Sequence, residues 1–333
     1  MTIYDPFHRP IEYLRLSVTD RCNLRCVYCM PPAGVEWQPH QDILRYEEIV
    51  RVARVAASLG LRKVRLTGGE PLVRRGLVDL VADIAAIPGI VDLAMTTNAV
   101  RLAEFAPALA AAGLRRVNIS LDSLQPERFA RITRGGSLAD VLAGIAAAYQ
   151  AGLHPVKINA VVIRDMNDDE VVDLARQSLD PGWNVRFIEA MPVGLRPDGP
   201  ENGHWRRTLV PISEIHARIE AALGPLHPVE GVTGAGPARY YRLSGAPGTI
   251  GLISAVSEHF CAHCNRLRLS ADGRLRPCLL GDGEVDLRSL LRGGASDDAL
   301  RQAIVAAIAL KPERHRLEAD HFPHAKTMSQ IGG

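Results

Sequence analysis

Net charge is the first thing this chain lacks: across 333 residues, 39 Lys and Arg stand against 37 Asp and Glu, a formal charge of +2. Without a field of one sign, the surface as a whole attracts neither nucleic acid nor an anionic membrane, so any anion site has to be local. Long apolar runs are missing too. Asp, Arg or Gln interrupts every apolar stretch before about 18 residues, and the opening MTIYDPFHRP has no basic segment followed by an apolar one. The chain therefore reads as cytoplasmic, neither secreted nor membrane-spanning. Aromatic residues are scarce at 5%, but a hydrophobic content of 47% is ordinary for a globular core and argues against disorder, collagen or a coiled coil. At about 150 residues per domain the length implies two domains, or one barrel-sized domain with an appendage.

Cysteine is also sparse, and its distribution is informative. The six residues fall as Cys22, Cys26 and Cys29 near the start and Cys261, Cys264 and Cys278 near the end, with none left over. In a cytosolic chain of this length thiols stay reduced and the core needs no staples, so disulfides explain them poorly. Two thiolate trios point to metal.

Residues 1–190 repeat a short β-branched run followed by an amphipathic, alanine-rich stretch. The expected strands are 13–18, 62–66, 91–97, 115–121, 155–162 and 183–188; the expected helices between them are 46–59, 77–87, 102–112, 138–151 and 168–178. Such alternation predicts an α/β fold with a parallel sheet and right-handed crossovers. Six units are too few for a closed eight-stranded barrel, so the expectation is a partial, open βα barrel. Polar residues cluster where strands end, at Thr19 and Asp20, Thr67 to Glu70, Thr96 to Asn98, Ser120 to Ser123, and Glu189. In a barrel these ends converge on one mouth.

After Met191 the texture changes to a Pro, Gly and Asn-rich loop over 192–207, a helix at 212–223, strand-like pieces at 240–243 and 249–254, and a late helix at 298–310. The expected division is a barrel over 1–190 and a C-terminal α+β layer over 191–333 carrying the second cysteine trio.

The first trio places three thiolates within eight residues on the loop after the first strand. Three cysteines leave one iron of a four-iron cubane without a protein ligand, open to a small molecule. Structural zinc completes four ligands, and no His follows Cys29 until His40. This Cys-x3-Cys-x2-Cys spacing, with Tyr28 immediately before the third cysteine, resembles the signature of the radical S-adenosylmethionine (SAM) enzymes. The resemblance implies that the open iron chelates the amino and carboxylate groups of SAM and that the reduced cluster splits the sulfonium to methionine and a 5′-deoxyadenosyl radical. Thr67-Gly68-Gly69-Glu70-Pro71 follows the second strand. Its glycines let backbone approach a ligand closely, and Glu70 is able to accept from an ammonium; it resembles the superfamily element that holds the methionyl amine.

The second trio, Cys-x2-Cys-x13-Cys with His259 and His263 beside it, fits zinc and iron-sulfur equally by spacing. The passage from Gly251 to Cys278 is similar to the second-cluster segment of one subfamily, the GTP 3′,8-cyclases of molybdenum-cofactor biosynthesis. That similarity runs through Leu14-Arg15-Leu16-Ser17, Arg65 to Pro71, Met95-Thr96-Thr97-Asn98, Asn118 to Ser123 and Arg186-Phe187-Ile188-Glu189 to the terminal Gly332-Gly333. It departs after Glu189, where Ala190 stands in place of the family's usual aromatic and the loop over 192–204 is longer than a compact connection.

The resemblance implies two 4Fe-4S clusters, with the open iron of the second facing the nucleotide. It implies that Tyr28, Gly69, Ser120 and Met191 contact SAM, and that Arg15, Arg65, Thr96, Lys157, Arg266, Leu267 and Arg268 hold GTP. Arg266, Arg268, Gly332 and Gly333 take catalytic places, the Gly-Gly end threading toward the pocket. A triphosphate needs several cationic donors, and guanidinium offers the bidentate geometry that phosphate favours. Arg266 and Arg268, two apart on an expected strand, share a face. The implied reaction removes hydrogen from ribose C3′ and joins C3′ to guanine C8. The family also implies a homodimer, an electron donor such as flavodoxin or ferredoxin, and cyclic pyranopterin monophosphate synthase as the next enzyme. Two rivals are a peptide-modifying radical SAM enzyme, whose C-terminal region usually holds more than three cysteines, and a non-enzymatic protein with two structural zinc sites.

Overall fold

The computed structural model describes residues 2–193, 204–232, 236–317 and 327–332. Its first half is built from β1 (Tyr13–Ser17), β2 (Lys63–Thr67), β3 (Asp92–Thr97), β4 (Arg116–Ser120), β5 (Lys157–Val162) and β6 (Asn184–Glu189), all mutually parallel in chain order. Every expected strand is present within two residues.

Each strand carries two different faces. Leu14 and Leu16, Val64 and Leu66, Val117 and Ile119, and Val185 and Phe187 all lie in one hydrophobic core. Helices Tyr46–Ser58, Leu77–Ala85, Leu102–Ala111 and Leu138–Gln150 bury their own apolar stripes on that side. The alternate positions, among them Arg15, Arg65, Thr96, Asn118, Asn159 and Arg186, turn to the inside of the curved sheet, as period-two alternation requires.

Four α-helices among the described residues differ from expectation: His204–Thr208 forms inside the stretch expected as a loop over 192–207, and Leu287–Arg292, Met328–Ile331 and Pro126–Thr133 were not expected. The eight residues of Pro126–Thr133, with Pro126 in the first turn and Gly135-Gly136 just beyond, are too short to display a helical period.

The C-terminal part supplies β7 (Leu226–Pro228), β8 (Arg239–Leu243), β9 (Thr249–Ile253), β10 (Arg266–Leu269), β11 (Arg274–Arg276) and β12 (Val285–Asp286). These strands extend the sheet at both edges: β9 lies parallel to β6, and β10 lies parallel to β1. The order is β12-β11-β10-β1-β2-β3-β4-β5-β6-β9-β8-β7, so the barrel is open between β12 and β7. Helix Ile212–Leu223 appears as expected, and Asp297–Ala309 begins one residue early. No helix among the described residues is long and apolar enough to cross a membrane.

Candidate active site between two cysteine loops

The carboxyl ends of β1 to β6 face a cavity of about 260 Å³ lined by Cys22, Cys26, Cys29 and Tyr28 on one side and Arg266 and Arg268 on the other. A neighbouring cavity of about 60 Å³ is lined by Cys261, Cys264 and Cys278. Met191, Phe260, Arg266 and Arg268 line both, so the two thiol trios stand on either side of a shared wall.

The first cysteine loop is docked by the Gly-Gly turn. The Gly69 amide donates to the Thr19 carbonyl at 2.7 Å, and the Glu70 amide to the Arg21 carbonyl at 2.8 Å. A Cβ on Gly69 would lie 2.2 Å from the Arg21 oxygen, closer than any side chain tolerates. The close approach expected of these glycines is therefore made first to the chain's own cysteine loop. Glu70, which lines the cavity, also braces the site. Its carboxylate accepts from the amides of Leu72 and Asn98 and from the Thr97 hydroxyl, tying the β2 turn to the end of β3. Burial pushes its pKa up to about 7 while those hydrogen bonds pull it down.

Tyr28 donates to Asp122 at 2.7 Å, and Asp122 also accepts from the Val161 amide. Burial raises Asp122 to about 6. Burial also raises the thiols of Cys22 to about 11 and Cys29 to about 12. Cys264 behaves oppositely: although burial resists ionisation, Arg266 and Lys311 draw it down to about 6. Arg266 donates to the Cys264 sulfur at 3.5 Å and lies over the Phe260 ring. Lys311 is buried, donating to the carbonyls of Arg266 and Pro277.

Among the described residues, no three His, Cys, Asp or Glu side chains gather closely enough to hold one metal ion. The thiols instead ring two cavity walls, which suits a cluster in which each thiolate binds a different iron. His263 is exposed, and His259 packs edge-on against His315. Three thiols per cavity and no further cysteine fit a four-iron cluster with one open iron at each place.

A row of guanidiniums crosses the inner face. Arg15 is in register with Arg268 on one side and Arg65 on the other, and all three line the larger cavity. Burial pulls their proton affinities down, Arg65 and Arg268 to about 10; neighbouring cations add to it, chiefly Arg268 at Arg15, Arg186 at Arg65 and Arg266 at Arg268. Buried Nε of Arg65 has no hydrogen-bond partner among the described residues. Buried cations so arranged favour a polyanion between them.

Gly69, Thr96, Ser120 and Met191 line the same cavity. Lys157 is buried outside its lining, its ammonium 3.0 Å from the Tyr240 hydroxyl. Leu267 lies on the opposite face of β10, in the hydrophobic core, so its side chain is directed away from the cavity. Gly332 follows a short helix, Met328–Ile331, with φ +82°, and its carbonyl accepts from Thr67 at 3.2 Å and Arg268 at 3.4 Å. Gly333 and the part of the long loop over 194–203 lie outside the described residues. Residue-by-residue reading missed Tyr13, Asn159 and Phe260 as lining groups, and had Arg186 only inside a quoted motif. The signal was present for Tyr13 and Asn159, which share strand parity with Arg15 and Lys157, and for Arg186, which alternates with the apolar Val185 and Phe187.

The chain matches the Radical SAM superfamily over residues 16–177 and Molybdenum Cofactor Synthesis C over residues 183–317. It is 53% identical over 330 residues to the GTP 3′,8-cyclase of Pelotomaculum thermopropionicum, covering 99% of both chains. It is 52% identical to that of Heliobacterium modesticaldum, again covering 99% of both, and 50% identical to that of Geobacter sulfurreducens over 100% of both. Among solved structures it resembles Streptococcus suis SuiB bound to S-adenosylmethionine, with a TM-score of 0.58 at 13% identity over 89% of this chain and 68% of that one. It also resembles anSMEcpe with bound AdoMet, with a TM-score of 0.55 at 12% identity over 93% and 82%. These two share its fold. With half its residues identical over the full length of such relatives, the chain belongs to the GTP 3′,8-cyclase family of radical SAM enzymes.

Proposed function

We propose that this chain catalyses the SAM-dependent cyclisation of GTP to (8S)-3′,8-cyclo-7,8-dihydroguanosine 5′-triphosphate, the first step of molybdenum-cofactor biosynthesis. The observation that carries this reading is the row Arg268, Arg15, Arg65, a cationic track of two buried arginines flanking a half-buried one, which lines the cavity beside the two thiol trios.

Cys22, Cys26 and Cys29 would hold one 4Fe-4S cluster and Cys261, Cys264 and Cys278 the other. When bound and reduced, the first supplies the reductive cleavage of SAM whose 5′-deoxyadenosyl product takes hydrogen from ribose C3′. Tyr28, Gly69, Ser120 and Met191 are assigned to SAM. Arg15, Arg65, Thr96, Lys157, Arg266 and Arg268 are assigned to GTP, with Leu267 contributing through its backbone alone. Their work is to bind and orient, because holding C3′ and C8 at reacting distance removes most of the entropic barrier to ring closure. Gly332 and the terminal Gly333 are assigned to closing the site against water.

By the same reading, residues 1–190 are the SAM-cleaving barrel and 191–333 the part that presents the second cluster. The enzyme works in the cytoplasm as a homodimer, takes electrons from a flavodoxin or ferredoxin, and passes its product to cyclic pyranopterin monophosphate synthase.

Anaerobic incubation with SAM, GTP and a strong reductant, followed by mass spectrometry, tests the reading. Deoxyadenosine together with an isomer of GTP is the expected result. Deoxyadenosine with unchanged GTP, or no SAM cleavage by protein carrying iron and sulfide, would overturn it.

A further inference from the structure

Lys157 opens β5, and the residue that receives its ammonium comes from a strand three places away in the sheet. Tyr240, on β8, places its hydroxyl 3.0 Å from Lys157 Nζ, although β6 and β9 separate the two strands. The reach depends on Gly251. This residue of β9 is the register partner of both Arg186 on β6 and Tyr240 on β8. A Cβ at Gly251 would lie 2.7 Å from Arg186 Cγ and 3.1 Å from Tyr240 Cε1, so both side chains lie across the space that glycine leaves. Arg186 is in turn oriented by Asn159, whose side-chain oxygen accepts from its Nε at 2.8 Å. The result is a further cationic group on the inner face, whose Arg186 also acts on Arg65 and in which the Tyr240 phenol engages both Lys157 and Arg186.

We propose that Tyr240 is a positioning residue for the polyphosphate of the nucleotide: its hydroxyl, lying over Gly251, holds the Lys157 ammonium beside Asn159 and Arg186, which line the cavity, so that the lysine's charge supports the phosphate contact those groups border. This rests on the reading that Lys157 engages GTP. The groups acting on Lys157 include Tyr240 from β8, Arg186 from β6 and Arg116 from β4, the last paired with Asp92 of β3. Burial is the chief cause that brings the lysine down to about 8; Arg186 and Arg116 lower it further and Tyr240 supports it. Loss of the hydroxyl therefore removes both a geometric restraint and a group that keeps the ammonium charged.

The test is equilibrium binding of GTP by anaerobically purified protein carrying its iron, comparing Lys157→Ala, Tyr240→Phe and the double variant across pH. Lys157→Ala and Tyr240→Phe are each expected to weaken GTP by roughly tenfold, the double variant no more than Lys157→Ala alone. The alkaline fall in affinity should move to lower pH in Tyr240→Phe, a change that loss of packing would not produce. Unchanged affinity in Lys157→Ala would overturn the underlying assignment. Weakened binding in Lys157→Ala with wild-type binding in Tyr240→Phe, or additive losses in the double variant, would overturn the role of Tyr240 itself.

Discussion

The Gly332 carbonyl accepts a hydrogen bond from Thr67 Oγ1 at 3.2 Å, joining the end of the chain to the end of β2. Ser17 flanks the same point: a Cβ on Gly332 would lie 3.0 Å from the Ser17 Cβ. The backbone there is left-handed, a conformation that costs other residues about 1–2 kcal/mol. Met328 and Ser329, one turn earlier, line the larger cavity. Position, conformation and lack of a side chain all suit the role proposed for this end beside the site.

Removing Gly332 and Gly333 is expected to leave folding and iron content unchanged while turnover falls by roughly a hundredfold. Gly332→Val should act in the same direction, since it adds bulk against Ser17 at a positive φ. Single-turnover formation of the GTP isomer measures the effect; wild-type kinetics in the truncated protein would exclude a role for the tail.

Gly69→Ala places a methyl group against the Arg21 carbonyl and should undock the first cysteine loop without touching the second. Iron and sulfide analysis is expected to fall from about eight irons per chain to about four, with SAM cleavage lost. Full iron occupancy in this variant would show that the loop tolerates displacement. Zinc in stoichiometric amount in the wild-type protein would instead favour the structural-zinc alternative.

Arg65→Leu separates binding from stability. GTP affinity should fall by about ten- to a hundredfold as a charge-assisted contact is lost. The nucleotide-free protein should be no less stable, because the substitution removes a buried cation repelled by Arg186 and Arg116. Arg266→Ala and Arg268→Ala should likewise weaken GTP while leaving SAM cleavage possible. Calorimetric binding and thermal melts on the same samples decide; equal GTP affinity in all three variants would remove the cationic row from the site.

Glu70 predicts a pH effect of definite sign. Its folded pKa of about 7 lies above the ordinary 4.5, so between those values the folded chain holds a proton that the unfolded chain has released. The contribution is complete below about 4.5 and is lost as pH rises through 7. Denaturation midpoints of the apoprotein should therefore favour wild type over Glu70→Gln most at the acid end, with the difference shrinking toward neutral pH. A difference that grows with pH would mean the carboxylate is held ionised.

The six strands of the barrel, its crossover helices and both cysteine trios were legible along the chain, because alternation of apolar residues and ligand spacing are local properties. The same parity that buries Leu14 and Leu16 against helices turns Arg15 inward, and that too could be read without coordinates. Pairing between distant segments could not. Whether β9 and β10 would form a separate layer or extend the sheet at opposite edges depends on register with β6 and β1, set by hydrogen bonds across tens to hundreds of residues. For the same reason the tertiary structure alone gives Glu70 to Leu72, Thr97 and Asn98 and delivers Lys157 to Tyr240, whereas the core position of Leu267 follows from the parity that puts Arg266 and Arg268 on one face. A near-zero net charge identified no anion site; folding made one by stacking Arg268, Arg15 and Arg65 on adjacent strands, where burial makes each charge count.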